Sequence, residues 1–169
     1  FEELKEFFMN KKVSKLMLVC GKSYSSLPIN EHLINLCIPI KRFSNFSSNP
    51  LYEEVVYGIN TYREANCDGI IAVGGGSAID VAKCIRLFCC SDTSLNFLEL
   101  PHKCSNIPFV VIPTTAGTGS ESTKFAVIYK NEIKQSITDD GLIPDKVILD
   151  SSLLKTLPVY QKKCTLMDA

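Results

Sequence analysis

The sequence predicts an α/β fold, a doubly wound and mostly parallel sheet with an added β-hairpin. Four short runs rich in Val, Ile and Leu carry this reading: KLMLVC (15–20), GIIAV (69–73), PFVVI (108–112) and KVILD (146–150). Their hydrophobicity is continuous rather than alternating, as in strands buried on both faces of a parallel sheet. Helical patterns lie between them, and alternation of strand and helix is the signature of a doubly wound domain. The third observation is GIIAVGGGSAIDVAK (69–83), in which a strand breaks into three glycines and resumes with helical spacing.

In chain order, KLMLVC is the first strand. Asn49 before Pro50, with Glu53 and Glu54 in the first turns, predicts a helix start, and Val55, Ile59 and Tyr62 then share a face. After the glycines, Ala78, Val81, Ala82, Ile85, Phe88 and Cys89 form an apolar stripe, with Asp80, Lys83 and Arg86 expected largely opposite. KFAVIYKNEIKQSITD (124–139) reads as two strands joined at Lys130, Asn131 and Glu132, an antiparallel hairpin beside the parallel sheet. From Ser151 the pattern is helical again, and Pro158 opens a new helix.

The chain has 169 residues, enough for one domain with a substantial core. Lysine plus arginine equals aspartate plus glutamate at 18 each, with no block of either sign, which argues against nucleic acid or an acidic membrane as partner. The apolar runs are strand-sized, far below the roughly 18 residues of a membrane helix. Nothing resembles a signal peptide. Eight cysteines (Cys20, Cys37, Cys67, Cys84, Cys89, Cys90, Cys104, Cys164) are scattered without a C-x-x-C pair, so they are expected to be reduced and mostly buried in a cytoplasmic protein. The two histidines, His32 and His102, lie far apart and away from any cysteine pair, so zinc-ligand spacing is absent. The chain does not begin with methionine, which suggests a piece of something longer.

A glycine turn from strand into helix gathers backbone N–H groups and the positive end of a helix dipole, which suits a phosphate. Gly74, Gly75 and Gly76 are therefore read as a diphosphate seat. The alternative is a tight turn requiring a positive φ, which one glycine would satisfy. GKS (21–23) also follows a strand, but a P-loop would need glycine where Leu16 stands. The second element is IPTTAGTGSES (112–122), which follows the PFVVI strand and supplies Thr114, Thr115, Thr118 and Ser120 with flexible glycines. It falls at the carboxyl end of a sheet strand, where open α/β sheets bind ligands.

GGGSAIDVAK followed by IPTTAGTGSE, then PDKVILD and a terminal LMDA, resembles the iron-containing, or group III, alcohol dehydrogenases, over nearly the whole chain. The resemblance implies a Rossmann-like NAD(P)-binding domain, here 1–157, with 158–169 as the start of an all-helical metal-binding domain that is otherwise missing. By resemblance, Gly75, Gly76 and Ser77 match the diphosphate turn, Thr114, Thr115 and Thr118 line the cofactor, and Lys134 reaches the ribose. Asn49 aligns with a cofactor contact, although helix capping explains it equally well. Asp80 belongs to the motif, yet a carboxylate in a first helical turn is stabilised by the dipole in any case. Asp168 in LMDA aligns with the first metal ligand; the other three are histidines that would lie downstream.

The chemistry implied is reversible hydride transfer between NAD(P)H and a small aldehyde or alcohol, with Fe²⁺ or Zn²⁺ as Lewis acid and no side-chain base identified. SLLKTLPVYQKK (152–163) resembles a branch that reduces phosphonoacetaldehyde. Two alternatives stand beside this: the dehydroquinate-synthase or glycerol-phosphate dehydrogenase group, and a nucleotide-binding half-domain without catalysis. The cofactor is expected to lean toward NADPH. Where NAD-preferring relatives carry an aspartate after the first strand, this sequence has Gly21, then Lys22, Ser23 and Tyr24, so no carboxylate repels a 2′-phosphate. A homodimer is left open.

Overall fold

The computed structural model describes residues 2–92, 95–100, 106–155 and 157–168. His102 and Cys104, named above, lie outside them. The chain opens with helix α1 (Glu2–Asn10), then strand β1 (Leu16–Cys20), helix α2 (Ile29–Ile34) and strand β2 (Ile40–Phe43). Helix α3 (Tyr52–Glu64), strand β3 (Gly69–Gly74), helix α4 (Gly76–Phe88) and strand β4 (Phe109–Pro113) follow. The hairpin β5 (Phe125–Lys130) and β6 (Ile133–Thr138), the short strand β7 (Lys146–Val147) and helix α5 (Val159–Asp168) complete it. The sheet is parallel, in the order β2-β1-β3-β4-β7.

Alternate residues of each central strand enter different cores. Leu16, Leu18 and Cys20 join Leu4, Phe8 and Leu33 from α1 and α2 on one face, while Met17 and Val19 join Val55, Ile59, Ile79 and Ile85 from α3 and α4 on the other. Each fully buried side chain of this kind contributes about 1.5–3 kcal/mol, which explains why the strands read as unbroken apolar runs. Successive strands lie on opposite sides of β1, with β2 to one side and β3 to the other. The carboxyl ends of β1 and β3 therefore flank the switch point where ligands of open α/β sheets bind.

Two local expectations need correction. The helix begins at Tyr52, and its first turn is closed by the Leu51 amide donating to the Glu54 carboxylate at 2.8 Å, so Asn49 does not cap it. KVILD is a strand only over Lys146–Val147 at the sheet edge. The hairpin lies beside the parallel sheet, as expected, forming its own two-stranded sheet that packs on α4. Its turn is the two residues Asn131 and Glu132, with φ of 51° and 64°, as a tight hairpin twist demands.

The face of α4 expected to be polar is also buried. Lys83 is 0 % exposed and donates to the carbonyls of Thr123 and Phe125, each at 2.7 Å, at the entrance to β5. Arg86 is 5 % exposed and donates to the carbonyls of Ile107, Gly141 and Ile143, while also pairing with Asp145 at 3.0 Å. The charged stripe is thus a set of anchors for the loop, hairpin and strand that cover the helix. Replacing Arg86 with Met should leave these carbonyls unpaired and the Asp145 carboxylate with only the Phe109 amide as partner, at a cost on the order of 3 kcal/mol. Urea unfolding of both proteins checks this; a loss below about 1 kcal/mol would show that solvent readily takes over its contacts.

Candidate functional site

The site grows out of the β3–α4 turn. Gly74 ends the strand with its carbonyl accepting from the Thr114 amide at 2.9 Å, which ties the turn to the threonine loop after β4. A Cβ at Gly74 would stand 2.7 Å from the Cβ of Ala78, so the turn folds too tightly onto α4 for a side chain. At Gly75 a Cβ would meet the Thr115 Oγ1 at 3.1 Å, and at Gly76 the Thr118 Cγ2 at 3.3 Å. Gly76 is the first residue of α4 and is not among the positive-φ glycines, which are Gly74, Gly117 and Gly119. The glycines at 75 and 76 therefore keep clear the narrow gap between two strand ends; only their neighbours answer to backbone conformation.

A cavity of about 540 Å³ lies over this turn, and its wall includes Gly21, Gly75, Gly76, Thr114, Thr115 and Thr118. A second, of about 260 Å³, continues beneath it and holds Asn49, Asp80 and Lys134. The two share Gly76, Ser77 and Thr118, so they form one groove that bends around the start of α4. Ten of the eleven residues read from the sequence as cofactor contacts line this groove. Lys22 is exposed and lines neither cavity. Asp168 lies exposed at the end of α5 and also lines neither. Among the described residues no group of three His, Cys, Asp or Glu side chains is placed to hold a metal ion.

Two contributions were not read from the sequence. Gln161 and Thr165 of α5 help close the first cavity, and Gly117, with φ of +144°, lets the threonine loop pass so close to the Thr165 carbonyl that a Cβ would collide with it. Behind the wall, the exposed Arg42 near the end of β2 donates to the Gly21 carbonyl at 3.3 Å and stands over the Tyr24 ring, 5.4 Å from its centroid, so it touches two lining residues without lining the cavity itself. Neither was legible because each depends on a contact between elements distant in sequence.

Asp80 is the electrostatic feature of the second cavity. The Val127 amide of β5 donates to its Oδ2 at 3.1 Å, whereas its buried Oδ1 has no hydrogen-bond partner. Burial raises its pKa from the ordinary 3.8 to about 6, against the lowering effects of the Val127 amide and the Lys83 charge. The Ser77 hydroxyl beside it donates to the Ser48 carbonyl and so fixes the loop carrying Asn49 over the groove.

A family model described as iron-containing alcohol dehydrogenase matches residues 1–151. The chain belongs to this family. Among the curated relatives of this iron-containing alcohol dehydrogenase chain, the NADPH-dependent butanol dehydrogenase of Clostridium saccharobutylicum is 34 % identical over 97 % of this chain and 45 % of its own. The NAD-dependent methanol dehydrogenase of Bacillus methanolicus is 33 % identical over 75 % of this chain and 34 % of its own. The sulfoacetaldehyde reductase of Bifidobacterium kashiwanohense, solved with NAD⁺, superposes with a TM-score of 0.89 at 29 % identity, covering 98 % of this chain and 46 % of that one. The chain thus spans less than half the length of these relatives. No helix among the described residues is long and apolar enough to cross a membrane.

The buried Asp80 makes stability depend on pH. The folded chain holds this proton to higher pH than the unfolded chain, so the stabilisation is complete below the unfolded pKa of 3.8 and is lost as pH rises through about 6. Wild type should therefore lose on the order of 2 kcal/mol relative to Asp80→Asn between those limits. Denaturant midpoints of the two proteins across this range provide the check, and parallel curves would contradict it.

Proposed function

We propose that this chain is the dinucleotide-binding domain of an NAD(P)-dependent alcohol dehydrogenase or aldehyde reductase. The observation that carries it is the groove at the start of α4, where Gly75 and Gly76 face Thr115 and Thr118 across a gap that a Cβ would narrow. The unbonded N–H groups of the first helical turn and the helix dipole suit the diphosphate there. Thr114, Thr115 and Thr118 add hydroxyl groups along one wall, and Ser77 holds the neighbouring loop in place. Asn49, Asp80 and Lys134 in the second cavity are proposed to meet the ribose and the remaining polar groups of the cofactor, Asp80 through its unpartnered Oδ1.

When bound, the nicotinamide supplies or accepts a hydride at a small aldehyde or alcohol. The contribution of these residues is to orient the cofactor and to line a groove that limits water around it. Phosphonoacetaldehyde is the proposed substrate on the resemblance of residues 152–163. It shares an anionic two-carbon aldehyde form with the substrate named for the sulfoacetaldehyde reductase. Asp168 is proposed as one ligand of Fe²⁺ or Zn²⁺. A single exposed carboxylate does not retain such an ion, and the described residues supply no companions. The family match favours this reading over the dehydroquinate-synthase or glycerol-phosphate dehydrogenase alternative.

Cofactor choice is proposed to lean toward NADPH, because Gly21 places no carboxylate at the end of β1 where it would repel a 2′-phosphate. The functional reading is tested by Gly76→Val. The side chain would project toward Thr118 and Ser120, 3.3 Å and 3.4 Å from its Cβ, and fill the narrow part of the groove. Calorimetric titration with NADPH should show at least a tenfold loss of affinity while the melting transition persists. Undiminished affinity in a folded variant would mean that the glycine serves the turn alone.

A further inference from the structure

We propose that Arg42, not Lys22, determines cofactor choice by forming the seat for a 2′-phosphate at the rim of the groove. The inference rests on the dinucleotide reading above and adds the residue that recognises the extra phosphate. Arg42 opposes Leu18 across the β1–β2 ladder near the carboxyl end of β2. From there its guanidinium spans the mouth of the β1 turn. One terminal nitrogen donates to the Ser25 Oγ at 2.9 Å, and the other donates to the Gly21 carbonyl at 3.3 Å. The guanidinium carbon also lies over Tyr24, 5.4 Å from the ring centroid, and Tyr24 itself lines the larger cavity. Its proximity to the end of β1 is also felt at the Cys20 thiol, whose pKa is raised by burial and pulled partly back by Arg42.

Three properties suit this group to a phosphate monoester. Arg42 makes no ion pair with a described carboxylate, so its charge is not already neutralised. A guanidinium carries five donors in a rigid fork, and only two contacts are made here, one each to a hydroxyl and a carbonyl. The surrounding turn, Gly21 to Ser26, contains three serines and no acidic residue, and Ser23 and Ser26 face the cavity. A dianionic phosphate would therefore meet a fixed cation among hydroxyl groups. Lys22, in the same turn, and Arg42 are both exposed and neither lines the cavity itself; Arg42 differs in being tied to the turn by its bonds to Gly21 and Ser25.

The test uses adenosine 2′,5′-bisphosphate and 5′-AMP as probes, alongside NADPH and NADH, titrated by calorimetry into wild type, Arg42→Ala, Arg42→Lys and Lys22→Ala. Charge-assisted hydrogen bonds of this kind give a ten- to hundredfold preference for the bisphosphate, an order-of-magnitude expectation. Arg42→Ala should bring the ratio close to one while leaving 5′-AMP and NADH binding within about twofold; Arg42→Lys should retain part of it and Lys22→Ala nearly all. If Arg42→Ala fails to fold, Arg42→Gln, which keeps most of the stem over Tyr24, takes its place. An unchanged ratio on loss of Arg42, or no preference in wild type while NADH still binds, overturns the inference alone. Failure of wild type to bind either dinucleotide overturns the reading of the groove, and the inference with it.

Discussion

The close approach of two strand ends governs this structure. The turn after β3 and the loop after β4 are joined by the hydrogen bond from the Thr114 amide to the Gly74 carbonyl; Gly74 is pressed against Ala78 of α4, and the gap between turn and loop leaves little room for a side chain at 75 or 76. Parallel pairing of β3 with β4 brings both ends to the same edge of the sheet. The start of α4 then faces the threonines with its N–H groups unpaired within the helix. A seat for a diphosphate follows from chain topology before any charged side chain is added.

Helix α4 pays for its central position through its polar residues. Asp80, Lys83 and Arg86 occupy the face that periodicity assigns to solvent, yet the hairpin and the segment around Gly141 and Asp145 cover that face. Lys83 and Arg86 turn burial into attachment by donating to backbone carbonyls that would otherwise lack partners. Asp80 is different, because one of its oxygens is left without a partner at the wall of the groove. The helix thus links the cofactor groove to the hairpin, and the polar stripe is where the two meet.

The strands were legible because both faces of the sheet are covered, which leaves continuous apolar runs such as LMLVC and IIAV with no polar alternation to misread. The hairpin was legible from Asn131 and its flanking β-formers. β2 was not, since IKRF sits at the sheet edge with two exposed charged residues and shows neither pattern. Within the groove, the glycines and threonines announced themselves by type and spacing. Arg42 did not, because its role depends on a strand pairing that carries it to a turn about twenty residues earlier. The start of α3 was misread for a related reason: Glu54 supplies the cap by reaching back to Leu51, and the nearby Asn49 only looks like one.

The central claim is that a diphosphate rests on the first turn of α4 against the threonine loop. Amide chemical-shift mapping of the isotope-labelled chain during titration with ADP tests it most directly, because it reports which N–H groups the phosphates approach. The account predicts the largest shifts at Gly75, Gly76 and Ser77 and at Thr114, Thr115 and Thr118, with smaller ones at Gly21. Saturable shifts confined to other surfaces, with these amides unmoved, would contradict it.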